Sequence, residues 1–143
     1  MTRPCVLFVC VANSCRSQMA EAAAKALGGW TVWSSGSHPS GRVHPMAIEL
    51  MRELKLPLEG HASKGLDQVP SVEWDAVVTM GCGDACPSVR AKRRLDWAIP
   101  DPVAGSVEQA RSIRDDLLWR VRELHKEIVD KPRTPPQDKT SRR

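Results

Sequence analysis

Residues 3–9, RPCVLFV, are a short run rich in Val, Leu and Phe with no polar alternation. That pattern predicts a strand buried on both faces, as in a parallel sheet, with Cys5 inside it. The run stops at Cys10. From Ser17 the chain reads QMAEAAAKAL, a succession of strong helix formers, and Gly28 and Gly29 supply the stop. WTVWSSG at 30–36 predicts a second strand, and a helix follows over 43–54 with Pro45 in its first turn. Residues 75–80, DAVVTM, predict a third strand bounded by Gly81, and residues 95–99 a fourth, ended by Pro100 and Pro102. The last helix opens at Ser106, whose partner three residues on is Gln109, the two ends of a capping box. Ala110, Ile113, Leu117, Val121, Leu124 and Ile128 then recur at steps of three and four, so one face is apolar. On this reading His125 lies on the exposed side.

Strands alternating with helices imply an α/β fold with crossover connections, and a parallel sheet covered on both sides. Ligands in such folds bind beyond the carboxyl ends of the strands. Cys10, Cys82 and Asp101 all fall just past such ends.

A chain of 143 residues is the length of one domain. The reading places a single catalytic domain over 1–130. The net charge of +4 belongs to residues 131–143, KPRTPPQDKTSRR, which hold five basic residues and one acid, while residues 1–130 hold sixteen of each sign. The body is therefore neutral, which argues against nucleic acid as a partner. The tail, Pro-rich and without apolar anchors, is expected to be disordered. No stretch reaches the roughly 18 apolar residues of a membrane span, and the N-terminus lacks a secretory h-region, so a cytoplasmic protein, taken as monomeric, is expected. Five cysteines in a reducing compartment are mainly thiols, pointing to redox or metal chemistry rather than structural disulfides.

The sharpest local signal is CVANSCRS. A loop from Val11 to Cys15 leading into a helix N-terminus presents unpaired backbone N–H groups and the positive end of the helix dipole, a site for an oxyanion and a field that stabilises a thiolate. Arg16 adds planar, two-pronged hydrogen bonding. The expected oxyanion-binding residues are Val11, Ala12, Asn13, Ser14, Cys15, Arg16 and Ser17, with Asn13, Ser14 and Ser17 tying the loop down. Taken alone, C-x5-R also fits a packed thiol beside a solvated arginine. The strand before it and the helix behind it favour a nucleophile. Asp101, in AIPDPVAGS, is stiffened by a proline on each side, which suits a carboxyl that must deliver a proton.

VLFVCVANSCRSQMAEA resembles the signature of the low-molecular-weight protein tyrosine phosphatase superfamily and, more narrowly, of the arsenate reductases built on that fold. Cys10, Asn13, Ser14, Cys15, Arg16 and Ser17 match its pattern, and the similarity extends over nearly all of residues 4–129. The resemblance implies a three-layer α/β/α fold with a four-stranded parallel sheet, Cys10 as nucleophile and Asp101 as acid. Phosphotyrosine phosphatases of this fold typically carry tyrosines after the Asp-Pro pair. This chain has no tyrosine, and Val103 and Ala104 stand there. It has instead GCGDACP, with Cys82 and Cys86. The resemblance implies attack of Cys10 on arsenate, then a disulfide exchange through Cys82 and Cys86, with thioredoxin as reductant and no resident cofactor or metal. Only three residues separate Cys82 from Cys86, fewer than in better-known thioredoxin-coupled members. That leaves open their order and a glutaredoxin-like partner. Some relatives bind potassium beside residues like Asn13 and Glu21; here Lys64 offers an ammonium instead. Cys15 is not the resolving thiol in the resembled reductases.

Two other readings compete. A simple phosphatase would need neither Cys82 nor Cys86, and Cys10, Cys15, Cys82 and Cys86 together approach the spacing of a four-cysteine zinc site, in which Arg16 would have no role. The four histidines show no ligating spacing, and the basic run 90–94 reads as a solvated face or a docking surface for an acidic reductase.

Overall fold

In the computed structural model, the described residues are 3–58, 60–81 and 89–130. The chain runs β1 (Cys5–Cys10), α1 (Arg16–Leu27), β2 (Thr31–Gly36), α2 (Pro45–Arg52), β3 (Ala76–Thr79), β4 (Arg94–Asp96) and α3 (Val107–Ile128), with short 3-10 turns at Leu66–Gln68 and Pro102–Ala104. The four strands form one sheet in the order β2-β1-β3-β4, and every pairing is parallel. β1 is central, which explains its unbroken apolar sequence. Val6 and Phe8 face one core and Leu7 and Val9 the other. Cys5 departs from the expectation of burial: at the first rung of β1 it is only partly covered, with its amide bonded to the Asp75 carboxylate at 2.8 Å.

The two faces are covered unequally. Helices α1, α2 and α3 each contribute to the larger core, through Met19, Ala20, Ala47, Leu50, Met51, Ala110, Leu117 and Val121. The opposite face is closed among the described residues by Trp74, the Leu66–Gln68 turn and residues such as Val69 and Val89. The capping box of α3 is present, with Gln109 N donating to Ser106 Oγ at 3.1 Å and Ser106 N to Gln109 Oε1 at 2.8 Å. Helix α2 begins later than expected because the His44 ring caps it, accepting from Met46 N at 3.0 Å ahead of Pro45. β4 is displaced from its expected span: it ends at Asp96 because the Ile99 amide turns back to the Trp97 carbonyl at 2.9 Å, leaving Ile99 buried just ahead of Pro100.

His125 corrects the reading of α3. It is buried, with Nε2 2.8 Å from the Gly28 carbonyl and its ring edge-on to Trp30 at a centroid distance of 4.9 Å. The imidazole thus fastens α3 to the C-terminal end of α1. None of the helices among the described residues is long and apolar enough to cross a membrane.

Candidate active site

Cys10 is the last residue of β1, and the chain between it and α1 is held from several directions at once. The Val11 carbonyl accepts from His38 N at 2.8 Å, and Ala12 from Ser40 N at 3.0 Å and from Ser63 Oγ at 2.9 Å. The Ser14 carbonyl accepts from His44 N at 2.8 Å, and that of Asn13 from Gln18 Nε2 at 3.1 Å. Each donor lies outside the loop. In a planar trans peptide the N–H points opposite to the carbonyl of the same unit, and no cis peptide occurs among the described residues. Outward carbonyls at 11, 12, 13 and 14 therefore turn the amides of Ala12, Asn13, Ser14 and Cys15 towards the inside of the loop. That is an anion-binding concavity at the start of a helix.

Asn13 organises the loop. It adopts φ 48°, a left-handed conformation that Asn tolerates better than most residues, and it is fully buried. Its Nδ2 donates to Ser17 Oγ at 2.8 Å, while its Oδ1 accepts from Lys64 N at 2.8 Å and from Gln18 Nε2 at 3.0 Å. Ser17 Oγ accepts from Asn13 and lies 2.9 Å from Cys10 Sγ, where it can accept from a Cys10 thiol and donate to a Cys10 thiolate. Of the residues expected to tie the loop down, Asn13 and Ser17 act through their side chains and Ser14 through its carbonyl. Gly36 permits the close approach of β2: a Cβ there would lie 2.6 Å from the Val11 carbonyl oxygen and 2.8 Å from Asn13 N.

The two thiols of the loop differ in surroundings. Cys15 is buried, and burial first, then the negative charges of Asp101 and Cys10, push its thiol up to about 12 against the pull of Arg16. Cys15 is thus held as the protonated thiol at neutral pH, and the bond from Arg16 Nη1 to the Ile99 carbonyl ties the segment that carries Asp101 to the end of the loop. Asp101 itself is exposed at the head of the Pro102–Ala104 turn, with Oδ1 accepting from Val103 N at 3.0 Å. Arg16 lies half-buried, its Nη1 donating to the Ile99 carbonyl at 3.0 Å. Cys82 and Cys86 lie outside the described residues. Cys10, Cys15, Arg16, Ser17, Asn13 and Asp101 are the expected site residues that the fold gathers.

Behind the loop is a second layer of polar contacts. Burial alone would raise the Glu21 carboxyl, but hydrogen bonds from Lys25 and Ser34 and the charge of Lys64 outweigh it and hold the group below its ordinary range. Lys64 Nζ is 3.6 Å from Glu21 Oε1, so the ammonium occupies the position anticipated for it. The His61 imidazole is held below its ordinary value by burial, in spite of Glu21 3.9 Å away. Since Gln18 Nε2 is committed to Asn13 and the Ala62 carbonyl, Gln18 Oε1 accepts, and His61 Nδ1 donates to it at 2.9 Å.

The model for the low molecular weight phosphotyrosine protein phosphatase family matches residues 5–134. The chain belongs to that family. Among its relatives, the glutaredoxin arsenate reductase of Synechocystis sp. is 38% identical over 123 residues, covering 83% of this chain and 94% of that protein. A solved structure described as an arsenate reductase in the phosphate binding state superposes with a TM-score of 0.79 at 38% identity, covering 87% of this chain and 98% of that one. The thioredoxin-dependent arsenate reductase of Corynebacterium glutamicum superposes with a TM-score of 0.72 at 34% identity, covering 89% of this chain and 62% of that chain.

Within this family fold, the residues that sequence reasoning passed over are those holding the loop from outside: His38, Ser40, Ser63, Gln18 and His61. Apart from Gln18, five residues from Asn13, they lie far from the loop in sequence, Ser63 being 51 positions from Ala12, and no local pattern announces them. Gly36 and Gly81 carried a weak signal as glycines closing strands. Their closeness to the loop is visible only in three dimensions.

Proposed function

We propose that this protein is an arsenate reductase. The observation that carries the reading is the loop 10–17, whose inward amides surround Cys10 and Arg16, on a chain that supplies two further thiols in GCGDACP. The relatives' arsenate reductase names support it, and the lack of any tyrosine to line a phosphotyrosine pocket counts against the simple phosphatase.

In the proposed reaction the loop amides and Arg16 hold arsenate, and the Cys10 thiolate attacks arsenic while Asp101 protonates the departing oxygen, which leaves as water. Cys82 then attacks the Cys10 sulfur. The electron pair of the S–As bond passes to arsenic, arsenite leaves, and a Cys10–Cys82 disulfide remains. Cys86 attacks Cys82, restoring the Cys10 thiolate, and the Cys82–Cys86 disulfide takes two electrons and two protons from an external dithiol, thioredoxin or a glutaredoxin-like protein. Cys15 stays outside the relay because burial keeps it protonated.

The test is arsenate-dependent NADPH oxidation with purified thioredoxin and its reductase in one arm and glutathione with glutaredoxin in the other, comparing intact protein with Cys10→Ser, Cys82→Ser and Cys86→Ser. The expected result is turnover that needs all three thiols, with p-nitrophenyl phosphate hydrolysis feeble and dependent on Cys10 alone. Brisk ester hydrolysis in the Cys82 and Cys86 variants, with no response to arsenate, would establish a phosphatase instead.

A further inference from the structure

We propose that Gly81 is a positioning residue for Arg16: the space left by its missing side chain is where the guanidinium lies, so position 81 sets where the oxyanion clamp holds its charge. The inference rests on the reading of residues 10–17 as an oxyanion site.

Gly81, two residues past the end of β3, has φ +77°, and a Cβ built on it would stand 2.6 Å from Arg16 Nη1, 3.6 Å from Cζ and 4.0 Å from Nη2. All three neighbours belong to the guanidinium. A separation of 2.6 Å is shorter than any van der Waals contact allows, so something must move, and the end of a flexible side chain moves more easily than backbone. Gly36 is the contrasting case, since the atoms a Cβ would strike there are backbone atoms of the loop itself. The nitrogen nearest Gly81 is also the one that donates to the Ile99 carbonyl at 3.0 Å, two residues ahead of Asp101. The guanidinium is therefore bounded by Gly81 and fastened to Ile99 through the same atom. A side chain at 81 would push Nη1 off that carbonyl and turn the planar fork, whose two-pronged geometry is what makes arginine effective on a tetrahedral anion. The loop amides and Cys10 would stay where they are.

Calorimetric titration of inorganic phosphate into intact protein, Gly81→Ala, Arg16→Lys and the double variant separates this role from simple backbone strain. Gly28→Ala serves as a control, because Gly28 has φ +71° with nothing within 4 Å of its built Cβ. We expect Gly81→Ala to weaken phosphate binding about tenfold or more and to raise the KM for arsenate more than it lowers kcat, consistent with a lost charged hydrogen-bond geometry. In the Arg16→Lys background, which lacks the lateral nitrogens, the same substitution should change affinity less than about twofold. Gly28→Ala should bind as the intact protein does. Equal losses in both backgrounds, or an unchanged affinity in Gly81→Ala, overturn the inference and leave the oxyanion reading standing. Failure of the intact protein to bind phosphate or arsenate overturns both. If Gly81→Ala does not fold, recovery of folding in the double variant supports the clash with Arg16, and its absence sinks it.

Discussion

The two parts of the candidate site are stiffened in opposite ways. The loop after Cys10 is anchored on the buried Asn13 and Cys15 and owes its shape to other segments: His38, Ser40, His44 and Ser63 draw its carbonyls outward, and Gln18 and Lys64 hold Asn13. Asp101 is exposed and owes its direction mainly to its own segment, through Pro100, the buried Pro102 and the bond from Val103 N to its own Oδ1. One is rigid because its neighbours agree; the other because its covalent structure leaves few choices. The lesson concerns mutation. Damage to the loop should spread into stability, whereas damage to the acid segment should stay in turnover.

The strongest test of that contrast is Gly36→Ala. Its Cβ would meet the Val11 carbonyl oxygen at 2.6 Å, Asn13 N at 2.8 Å and Ala12 C at 3.0 Å, and none of these can swing aside without shifting the loop. Urea unfolding is expected to show a loss of about 3 kcal/mol, accompanied by weaker oxyanion binding. Gly60→Ala, at φ +82° with open space around it, should lose only about 1 kcal/mol from backbone conformation. If the two variants lose the same amount, β2 does not brace the loop through close contact.

How much of this was legible beforehand follows the same division. The acid segment could be read in the sequence because its constraint is local: two prolines flank Asp101. The strands and helices were legible for similar reasons, through the apolar run of β1, the glycines after α1, and the Ser106 and Gln109 cap. The loop was legible as a kind of site but not as a structure, since its braces arrive from residues distant in sequence. His125 shows where periodicity misleads. Counting only the apolar steps of α3 puts it on the polar side, yet the Gly28 carbonyl and Trp30 at the far end of α1 enclose it. A buried polar residue with a partner elsewhere in the fold breaks the rule that helix faces follow hydrophobicity.

Cys15 joins the two regions, being part of the loop and answering to the Asp101 charge, and it gives the next largest effect. Its thiol is raised from 9.0 to about 12. The folded protein therefore keeps a proton that the unfolded chain releases, so the contribution of this thiol is complete below pH 9 and is lost as pH rises from 9 towards 12. At pH 10 the loss is about 1 kcal/mol. The difference in unfolding free energy between intact protein and Cys15→Ala should shrink by that amount between pH 8 and pH 10. A constant difference would mean that Cys15 ionises in the folded loop as freely as in solution. In the companion measurement at pH 7, iodoacetamide is expected to leave Cys15 unmodified.

The smallest effect on stability belongs to the acid segment. Pro100 is exposed and precedes Asp101, and replacing it by alanine chiefly gives the unfolded chain more freedom, costing about 0.4–1 kcal/mol. The same freedom in the folded protein lets the Asp101 carboxyl leave the direction that its flanking prolines and Val103 N impose. In the proposed reaction proton delivery depends on that direction, so kcat should fall several-fold while the KM for arsenate, which that reaction assigns to the loop and Arg16, stays nearly constant. Pro100→Ala thus mirrors Gly36→Ala, with turnover damaged and the fold almost untouched. A rise in KM at unchanged kcat would show that the segment serves substrate binding instead, and the contrast between a braced anion site and a self-stiffened acid would have to be abandoned.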